Sequence, residues 1–375
     1  MKLRTSIHHH LSNPYHRLMG VAALLMMGTV VSLACDTSAY RESSVIYYDQ
    51  TYVVNSDTPF DSRCLYFTGP EGGRKCHIRM VGELYRPKAA AYHSSATGKF
   101  PAIIFNHGSE ETFADDHLCQ IATYYVPKGY IVFIPFRRGQ GNNTIVDRMS
   151  TGIYINDFVD DFLADPSQYP HPSTCGSNGP AGAGECYRQE LFQQQANQEI
   201  REAMDFLEAR PDVAKKANGS GNYRIAIFGS SYGGQVTVYS NSLDLGQSAA
   251  VIFSPAAHEW GSDQCSPSES ACGSYTRRGL MNGASNATKP AFYLQSRWDV
   301  DTRPTMNLPY AHGMSSQFPA HARVFRSAIF NWTGGLCSGA DCTEDDLDQI
   351  HATFCVTTSV WGPEVDPFLE IQGVR

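Results

Sequence analysis

Short, mostly apolar runs alternate with helical patterns along the middle of the chain. Runs of this length between Gly, Pro or polar residues are typical of strands buried in a sheet; they lie at 79–86, 102–105, 130–134, 224–228, 249–253, 291–295 and 322–325. Between them, apolar residues recur at spacings of three and four, which predicts helices near 115–126, 187–210, 232–243, 302–312 and 363–371. This order predicts an α/β fold with a mostly parallel central sheet and helices on both faces.

The strand at 224–228 leads into a Gly-x-Ser-x-Gly sequence and then into a helix that begins at Tyr232. A serine on such a sharp turn points its hydroxyl outward, above the N–H groups of the first helical turn. The turn leaves no space for side chains two residues before and after the serine, so the two glycines select Ser231 rather than Ser230. Ser231 is the candidate nucleophile, and the alternative is an ordinary loop serine among small residues.

An acidic residue and a histidine follow this serine in the order that a catalytic triad on such a fold requires. Asp299 and Asp301 come directly after the strand at 291–295. We favour Asp299, because Asp301 suits the N-cap of the next helix. His351 lies between the last predicted strand and the closing helix. The sequence therefore predicts Ser231, Asp299 and His351 as catalytic residues.

Each member of this set has a chemical task, and the reaction needs two further donors. His351 would take the proton of Ser231 and later give it to the leaving group, while Asp299 would orient the imidazole. The negative oxygen of the tetrahedral intermediate requires N–H donors. We predict the backbone N–H groups of Tyr232, directly after the nucleophile, and of Ser109, in the loop after the strand at 102–105.

Two arginines, Arg137 and Arg138, follow the strand at 130–134 at the edge where a ligand would bind. They are candidates for binding a substrate carboxylate, and the alternative is that they hold neighbouring loops in place by ion pairs. His107, in the loop after the strand at 102–105, is interpreted as a structural residue that packs beneath that loop.

The overall composition narrows the classes of function. With 375 residues, of which 42% are hydrophobic, the chain is long enough for one large domain or two. A formal net charge of −8 argues against nucleic acid or an anionic membrane surface as a partner. The cysteines show neither Cys-x-x-Cys nor a zinc-type Cys/His spacing, so the sequence predicts no metal site and no cofactor.

Residues 1–34 have the pattern of an export signal. Basic residues precede an uncharged apolar run from Leu18 to Leu33, and small residues follow. Cys35 comes directly after this segment, as in a bacterial lipoprotein, so lipidation of Cys35 is one expectation. Plain secretion and a single N-terminal membrane anchor are the alternatives. We expect an exported protein (secreted, periplasmic or lipid-anchored) that meets a membrane only through its N-terminus.

Cysteine usage agrees with export, because disulfides persist in oxidising compartments. The chain has 11 cysteines, and ten remain when Cys35 is set aside, an even number as a disulfide framework requires. Closeness in the sequence suggests the pairs Cys64–Cys76, Cys175–Cys186, Cys265–Cys272 and Cys337–Cys342, which leaves Cys119 with Cys355. Other connectivities remain open at this point.

A series of short blocks resembles the dienelactone-hydrolase-like branch of the α/β-hydrolases, and is also similar to the catalytic domains of prolyl-oligopeptidase-like enzymes. The blocks follow one another in family order over residues 78–372; they are GELYRPK, NHG, PFRRGQG, FLEARPDV, FGSSYGG, SPAAHEW, LQSRWDVDTRPT, and His351 followed by WGPEVDPFL. The resemblance implies an α/β-hydrolase fold with Ser231, Asp299 and His351 as its triad. Dienelactone hydrolases proper use a cysteine nucleophile, so the serine here speaks against a dienelactone substrate.

The sequence thus predicts three parts: an export signal at 1–34, an N-terminal extension at 35–77, and an α/β-hydrolase domain at 78–375 with insertions near 140–190 and 255–290. The expected function is an exported serine hydrolase that cleaves small-molecule or polymeric carboxylic esters through an acyl-enzyme. A serine peptidase or amidase is the second hypothesis. A non-catalytic binding protein on the same fold is the third.

Overall fold

One sheet contains all the strands in the described part of the computed structural model. The structure describes residues 45–53, 75–87, 98–108, 115–137, 192–215, 223–255, 274–296, 317–322, 328–330 and 358–375. The eight strands found there are β1 (Val45–Val53), β2 (Lys75–Tyr85), β3 (Ala102–Asn106), β4 (Ile131–Pro135), β5 (Ile225–Ser230), β6 (Ala249–Phe253), β7 (Ala291–Ser296) and β8 (Ala328–Phe330).

The strands follow the order β1-β2-β4-β3-β5-β6-β7-β8 across the sheet. The pairs β1–β2 and β2–β4 are antiparallel, and every pair from β4 to β8 is parallel. The central strands β3, β4, β5 and β6 are buried along their whole length. Strands buried on both faces need apolar side chains in both directions, which is why they appear in the sequence as continuous apolar runs.

Helices cover both faces of this sheet. The described helices are α1 (Asp115–Tyr125), a π-helical segment (Gln195–Ile200) that continues into α2 (Arg201–Glu208), α3 (Tyr232–Ser242), α4 (Ser274–Ser285) and α5 (Thr358–Ile371). Alternate residues of each central strand point to opposite faces. In β5, for example, Ile225 and Ile227 pack with the side chains of α2 and α3, whereas Ala226 and Phe228 pack with those of α1 and α5. The predicted α/β fold, a mostly parallel sheet with helices on both faces, is confirmed.

The N-terminal part of the chain adds a strand to the sheet that the sequence did not predict. Part of the predicted extension at 35–77 forms β1, which pairs with β2 from Val45 opposite Gly82 to Val53 opposite Lys75. The folded domain therefore begins well before residue 78. An edge strand such as β1 gains its hydrogen bonds from one neighbour and exposes side chains, with Ile46 half exposed, so it lacks the apolar run that marks a central strand.

Three predicted elements differ from the structure near the C-terminus. Residues 274–285 of the predicted insertion at 255–290 form α4, which packs Leu280 and Ala284 into the core beside α3. Of the predicted last strand at 322–325, only Ala322 is described, and it lies in a turn; a strand that the sequence did not predict, β8 at 328–330, pairs with β7. The closing helix begins at Thr358, before the two prolines, because Trp361 packs its indole against Phe253 with ring centroids 4.4 Å apart.

Within the described residues, no helix combines the length and apolar character that a membrane span needs.

Candidate active site

The order of the central strands places a topological switch point at the carboxyl ends of β3 and β5. The chain leaves β3 to one side to form β4 and then crosses back to form β5 on the other side of β3. In open α/β sheets, ligands bind outside the carboxyl ends of the strands at such a switch point. The segments that follow β3 and β5 here are Asn106-His107-Gly108 and Ser231.

Ser231 occupies the single residue between β5 and α3, in an unusual backbone conformation. Its φ of 53° and ψ of −122° lie outside the regions that side-chain-bearing residues ordinarily adopt. Hydrogen bonds on both sides hold it there: its N–H donates to Phe253 O at 3.0 Å, and its carbonyl accepts from Gln235 N–H at 3.1 Å. Backbone strain of this kind costs on the order of 1–3 kcal/mol and is found mainly at functional sites.

The two neighbouring serines differ in exposure and conformation. Ser230 is the last residue of β5, is completely buried and has an ordinary negative φ. Ser231 retains 9% of its surface, although it lies between two buried elements. Of the two hydroxyl side chains, only that of Ser231 combines residual exposure with the strained turn.

The glycines of the motif permit close packing around this turn. A Cβ added to Gly229 would lie 2.1 Å from the carbonyl oxygen of Gly233. A Cβ added to Gly233 would lie 2.0 Å from the carbonyl oxygen of Asn106, in the segment after β3. Any side chain at either position would separate α3 from the strands beneath it. The sequence argument that these two positions have no space for a side chain is confirmed.

Gly108 brings the segment after β3 next to Ser231. A Cβ added to Gly108 would lie 3.7 Å from the Cβ of Ser231, which is an ordinary van der Waals contact. Gly108 immediately precedes Ser109, the predicted second oxyanion donor, whose placement is outside the described residues. Tyr232, the predicted first donor, is the opening residue of α3, where N–H groups point out of the helix N-terminus.

A buried hydrogen-bonded chain fixes the end of β3 to α3. The side-chain amide of Asn106 donates to Thr237 Oγ1 at 2.9 Å, and the Thr237 hydroxyl donates to Gly233 O at 2.8 Å. Both side chains are fully buried. Sequence reasoning missed these two residues; the available signals were an asparagine that ends an apolar strand and a threonine one turn after Gly233.

His107 is a neutral, structural residue, in agreement with its interpretation from the sequence. It is completely buried, and its Nδ1 lies 2.8 Å from the Gly108 carbonyl oxygen. Because a carbonyl can only accept, we assign the proton to Nδ1; Arg137 Nη2, 3.3 Å from the same nitrogen, then donates to the neighbouring carbonyl oxygens and not to the ring. Burial, and to a smaller extent the Arg137 charge, lowers the pKa of His107 well below its ordinary value, so the ring remains neutral at physiological pH.

Arg137 is buried against the same segment. Its Nη2 donates to the carbonyl oxygens of His107 and, at 2.9 Å, of Gly108. Its guanidinium carbon also lies 4.9 Å from the centre of the Tyr232 ring. Arg137 has no exposed surface. Its contacts therefore favour the alternative in which it holds a neighbouring loop over the one in which it binds a substrate carboxylate.

The remaining predicted site residues, which are Asp299, Asp301, His351, Ser109, Arg138 and Cys35, lie outside the described residues. The side chains of all 11 cysteines do so as well, and the predicted disulfides stay predictions. Among the residues that are described, no group of three or more His, Cys, Asp or Glu side chains has the arrangement of a metal site.

No protein-family model and no curated protein matches the chain. Solved structures with a similar backbone include an acetyl xylan esterase from Paenibacillus sp. R4, at 16% identity and a TM-score of 0.43, covering 82% of this chain and 87% of the other. Est1E from Butyrivibrio proteoclasticus, solved with ferulic acid, has 13% identity and a TM-score of 0.40, covering 76% and 96%. An acylaminoacyl peptidase from Pyrococcus horikoshii has 13% identity and a TM-score of 0.38, covering 72% of this chain.

This chain spans only 35% of the length of that peptidase. One of these proteins is named an esterase and another a peptidase.

Proposed function

We propose that the chain is a serine hydrolase in which Ser231 is the nucleophile, and that its substrates are carboxylic esters. The observation that carries this proposal is the strained backbone of Ser231 at the switch point of the sheet, with Gly108 beside it. A strained serine on a strand-to-helix turn next to a second backbone segment is the geometry that acyl transfer requires.

In the proposed reaction, Ser231 Oγ attacks the ester carbonyl as His351 removes its proton. The carbonyl oxygen becomes an oxyanion that accepts hydrogen bonds from the N–H groups of Tyr232 and Ser109. Collapse of this intermediate breaks the bond to the alcohol oxygen, which leaves with the proton held by His351. Water then attacks the acyl-enzyme with the same proton transfers and regenerates Ser231. Asp299 orients His351; the roles of these two residues rest on their order in the sequence.

We favour ester cleavage over amide cleavage because an alcohol is a better leaving group than an amine. An amine is a poor leaving group, and exopeptidases of the related families also need acidic residues that hold the substrate N-terminus. We assign no acidic pair in the sequence to the binding of an α-amine. A peptidase or amidase is therefore the second hypothesis, and a direct comparison of substrates separates the two.

The proposal is tested by comparing two rates: hydrolysis of p-nitrophenyl acetate and butyrate, and hydrolysis of a set of peptide p-nitroanilides. We expect turnover of the esters, little or none of the anilides, and a loss of at least about 10³-fold in Ser231→Ala. The matched control is Ser230→Ala, one residue away, which should retain activity if it folds. Anilides cleaved faster than esters would establish the second hypothesis, and full activity in folded Ser231→Ala would reject the mechanism.

The acid of the triad is tested by a second matched pair. Asp299→Asn should reduce kcat by about 10⁴-fold, because the imidazole then adopts the wrong tautomer. Asp301→Asn should have a small effect, since its proposed role is to cap a helix. The reverse pattern would assign the acid to Asp301.

We also propose that the protein is exported and that Cys35 carries a lipid. Wild-type protein expressed in a bacterium with a lipoprotein pathway should collect in the membrane fraction, and Cys35→Ser should move it to the soluble fraction. A distribution that the substitution leaves unchanged would reject lipidation, and retention of residues 1–34 in the mature protein would reject cleavage of an export signal.

A further inference from the structure

We infer that Arg137 is a positioning residue that orients both backbone donors of the oxyanion hole. This inference rests on the proposed function, because it assigns Arg137 a task in that reaction. The sequence suggested two alternative roles for Arg137, binding a substrate carboxylate or holding neighbouring loops. The described contacts support a third role, which is to position the backbone groups that would stabilise the oxyanion.

The first contact concerns the peptide unit between Gly108 and Ser109. Its carbonyl oxygen accepts from Arg137 Nη2 at 2.9 Å and from His107 Nδ1 at 2.8 Å. A peptide unit is planar and almost always trans, so its C=O and N–H point in opposite directions. Two donors fix the orientation of the Gly108 carbonyl, and in the proposed site this would direct the N–H of the same unit, the Ser109 donor, away from the guanidinium.

These two hydrogen bonds also make that N–H a stronger donor. Hydrogen bonds to the oxygen of a peptide unit polarise the whole unit, and a bond from a cation does so more than a neutral one. Arg137 stays protonated at all accessible pH values, even when it is fully buried. A third bond, from Nη2 to the His107 carbonyl oxygen, fixes the preceding peptide unit as well.

The second contact concerns Tyr232, on the other side of Ser231. The Arg137 guanidinium lies 4.9 Å from the centre of the Tyr232 ring, within the range of a cation–π interaction. Phe192 packs against the same ring in an edge arrangement, with centroids 4.5 Å apart. Tyr232 begins α3, so contacts that hold its side chain also hold the N–H that the oxyanion would meet.

One guanidinium thus contacts both segments that supply the proposed donors, one after β3 and the other after β5. A neutral side chain of similar length would lose the hydrogen bonds and the cation–π contact together. Lysine would keep the charge but could not reproduce the flat guanidinium with its fixed array of N–H groups.

The experiment compares wild type, Arg137→Lys and Arg137→Met on a p-nitrophenyl ester. We expect kcat to fall by about 10²-fold in Arg137→Met and by about 10-fold in Arg137→Lys, with KM within about threefold, since a misdirected donor weakens the transition state rather than the substrate complex. Affinity for a trifluoromethyl ketone, which forms an oxyanion on the serine, should fall in parallel with kcat/KM. The control is Arg210→Met, which removes a different arginine, paired with Asp212 at 3.0 Å, and should leave kcat unchanged.

Rates are expressed per active site, counted by labelling with a fluorophosphonate, so that loss of folded protein does not imitate loss of catalysis. A normal kcat per labelled site and normal ketone affinity in Arg137→Met would overturn the inference. If Arg137→Met does not fold, the same two measurements on Arg137→Lys decide, and wild-type values there overturn it. Activity that survives Ser231→Ala would instead mean that the proposed function itself is wrong.

Discussion

Gly233 lies so close to Asn106 that a Cβ atom on the glycine would be 2.0 Å from the asparagine carbonyl oxygen. The two residues are on different elements, α3 and the end of β3, and their contact joins the two halves of the proposed site. The same Cβ would lie 2.4 Å from the carbonyl oxygen of His107. Backbone atoms on both sides cannot move away independently, so this approach sets the distance between Ser231 and the segment after β3.

Gly233→Ala should therefore destabilise the fold by about 3 kcal/mol or more, because its methyl group would overlap backbone atoms that have no space to move. Gly108→Ala is the matched variant in the same site: its methyl would make an ordinary 3.7 Å contact with Ser231 Cβ, and its stability should change by less than about 1 kcal/mol. Urea unfolding of both variants measures the difference. Equal stability losses would contradict the described approach of α3 to β3.

The strain at Ser231 predicts an unusual order of stability. Ser231→Gly should be more stable than Ser231→Ala by about 1 kcal/mol, because glycine relieves backbone strain of about 1–3 kcal/mol and loses about 0.4–1 kcal/mol through its freer unfolded chain. At Ser230, in ordinary strand geometry, the order should reverse, and glycine should be worse than alanine by about 0.5–1 kcal/mol. Chemical denaturation of the four variants tests this. The same order at both positions would exclude a special conformation at Ser231.

The hydrogen-bonded chain from Asn106 through Thr237 to Gly233 should matter for stability. Thr237→Val keeps the shape of the side chain but leaves the buried Asn106 amide without its acceptor, which costs about 1–3 kcal/mol. Thr237→Ser keeps the hydroxyl and should lose less. Thermal unfolding of the two variants provides the comparison, and a valine variant as stable as the serine variant would show that this chain contributes nothing.

Stability should decrease at acidic pH because His107 is buried in its neutral form. Burial lowers its pKa well below the ordinary 6.5, so the unfolded chain binds a proton at His107 before the folded protein does. The contribution of neutral His107 is complete above about pH 6.5 and is lost as the pH falls toward the lowered pKa. The loss should grow as the pH falls below about 6.5.

His107→Asn is the control for this effect, since the Asn side-chain N–H can replace Nδ1–H as a donor to Gly108 but does not titrate. Unfolding free energies at pH 7.5 and 5.5 should show a smaller pH-dependent loss in His107→Asn than in wild type. Identical pH dependence in the two proteins would mean that His107 is not held neutral by the fold.

The central strands were predictable because they are buried on both faces. The run at 249–253 coincides with β6, and the runs for β3, β4, β5 and β7 differ from the structure by only one or two residues at an end. The sequence did not predict β8, because its three residues are too short an apolar run to stand out and only the pairing with β7 identifies them as a strand. The spacing of apolar residues along the sequence indicates which residues are buried, but it does not indicate which strands pair with each other.

The turn at Ser231 was predictable, but the contacts that hold it were not. Asn106 and Thr237 are 131 residues apart in the sequence, and Arg137 is 29 residues from the carbonyl of Gly108 that it binds. Such contacts depend on the order of strands across the sheet, which brings the ends of β3 and β5 together. The Gly-x-Ser-x-Gly motif was enough to select Ser231 as the candidate nucleophile. The contacts of Arg137, Asn106 and Thr237 could be recognised only in the three-dimensional structure.

The most direct measurement of the central claim is the site at which a fluorophosphonate labels the protein. We predict one covalent adduct per molecule, located by peptide mass spectrometry on Ser231, present in Ser230→Ala and absent in Ser231→Ala. An adduct on Ser230 or on any other residue, or no adduct on a folded protein that hydrolyses esters, would contradict the assignment of Ser231 as the nucleophile.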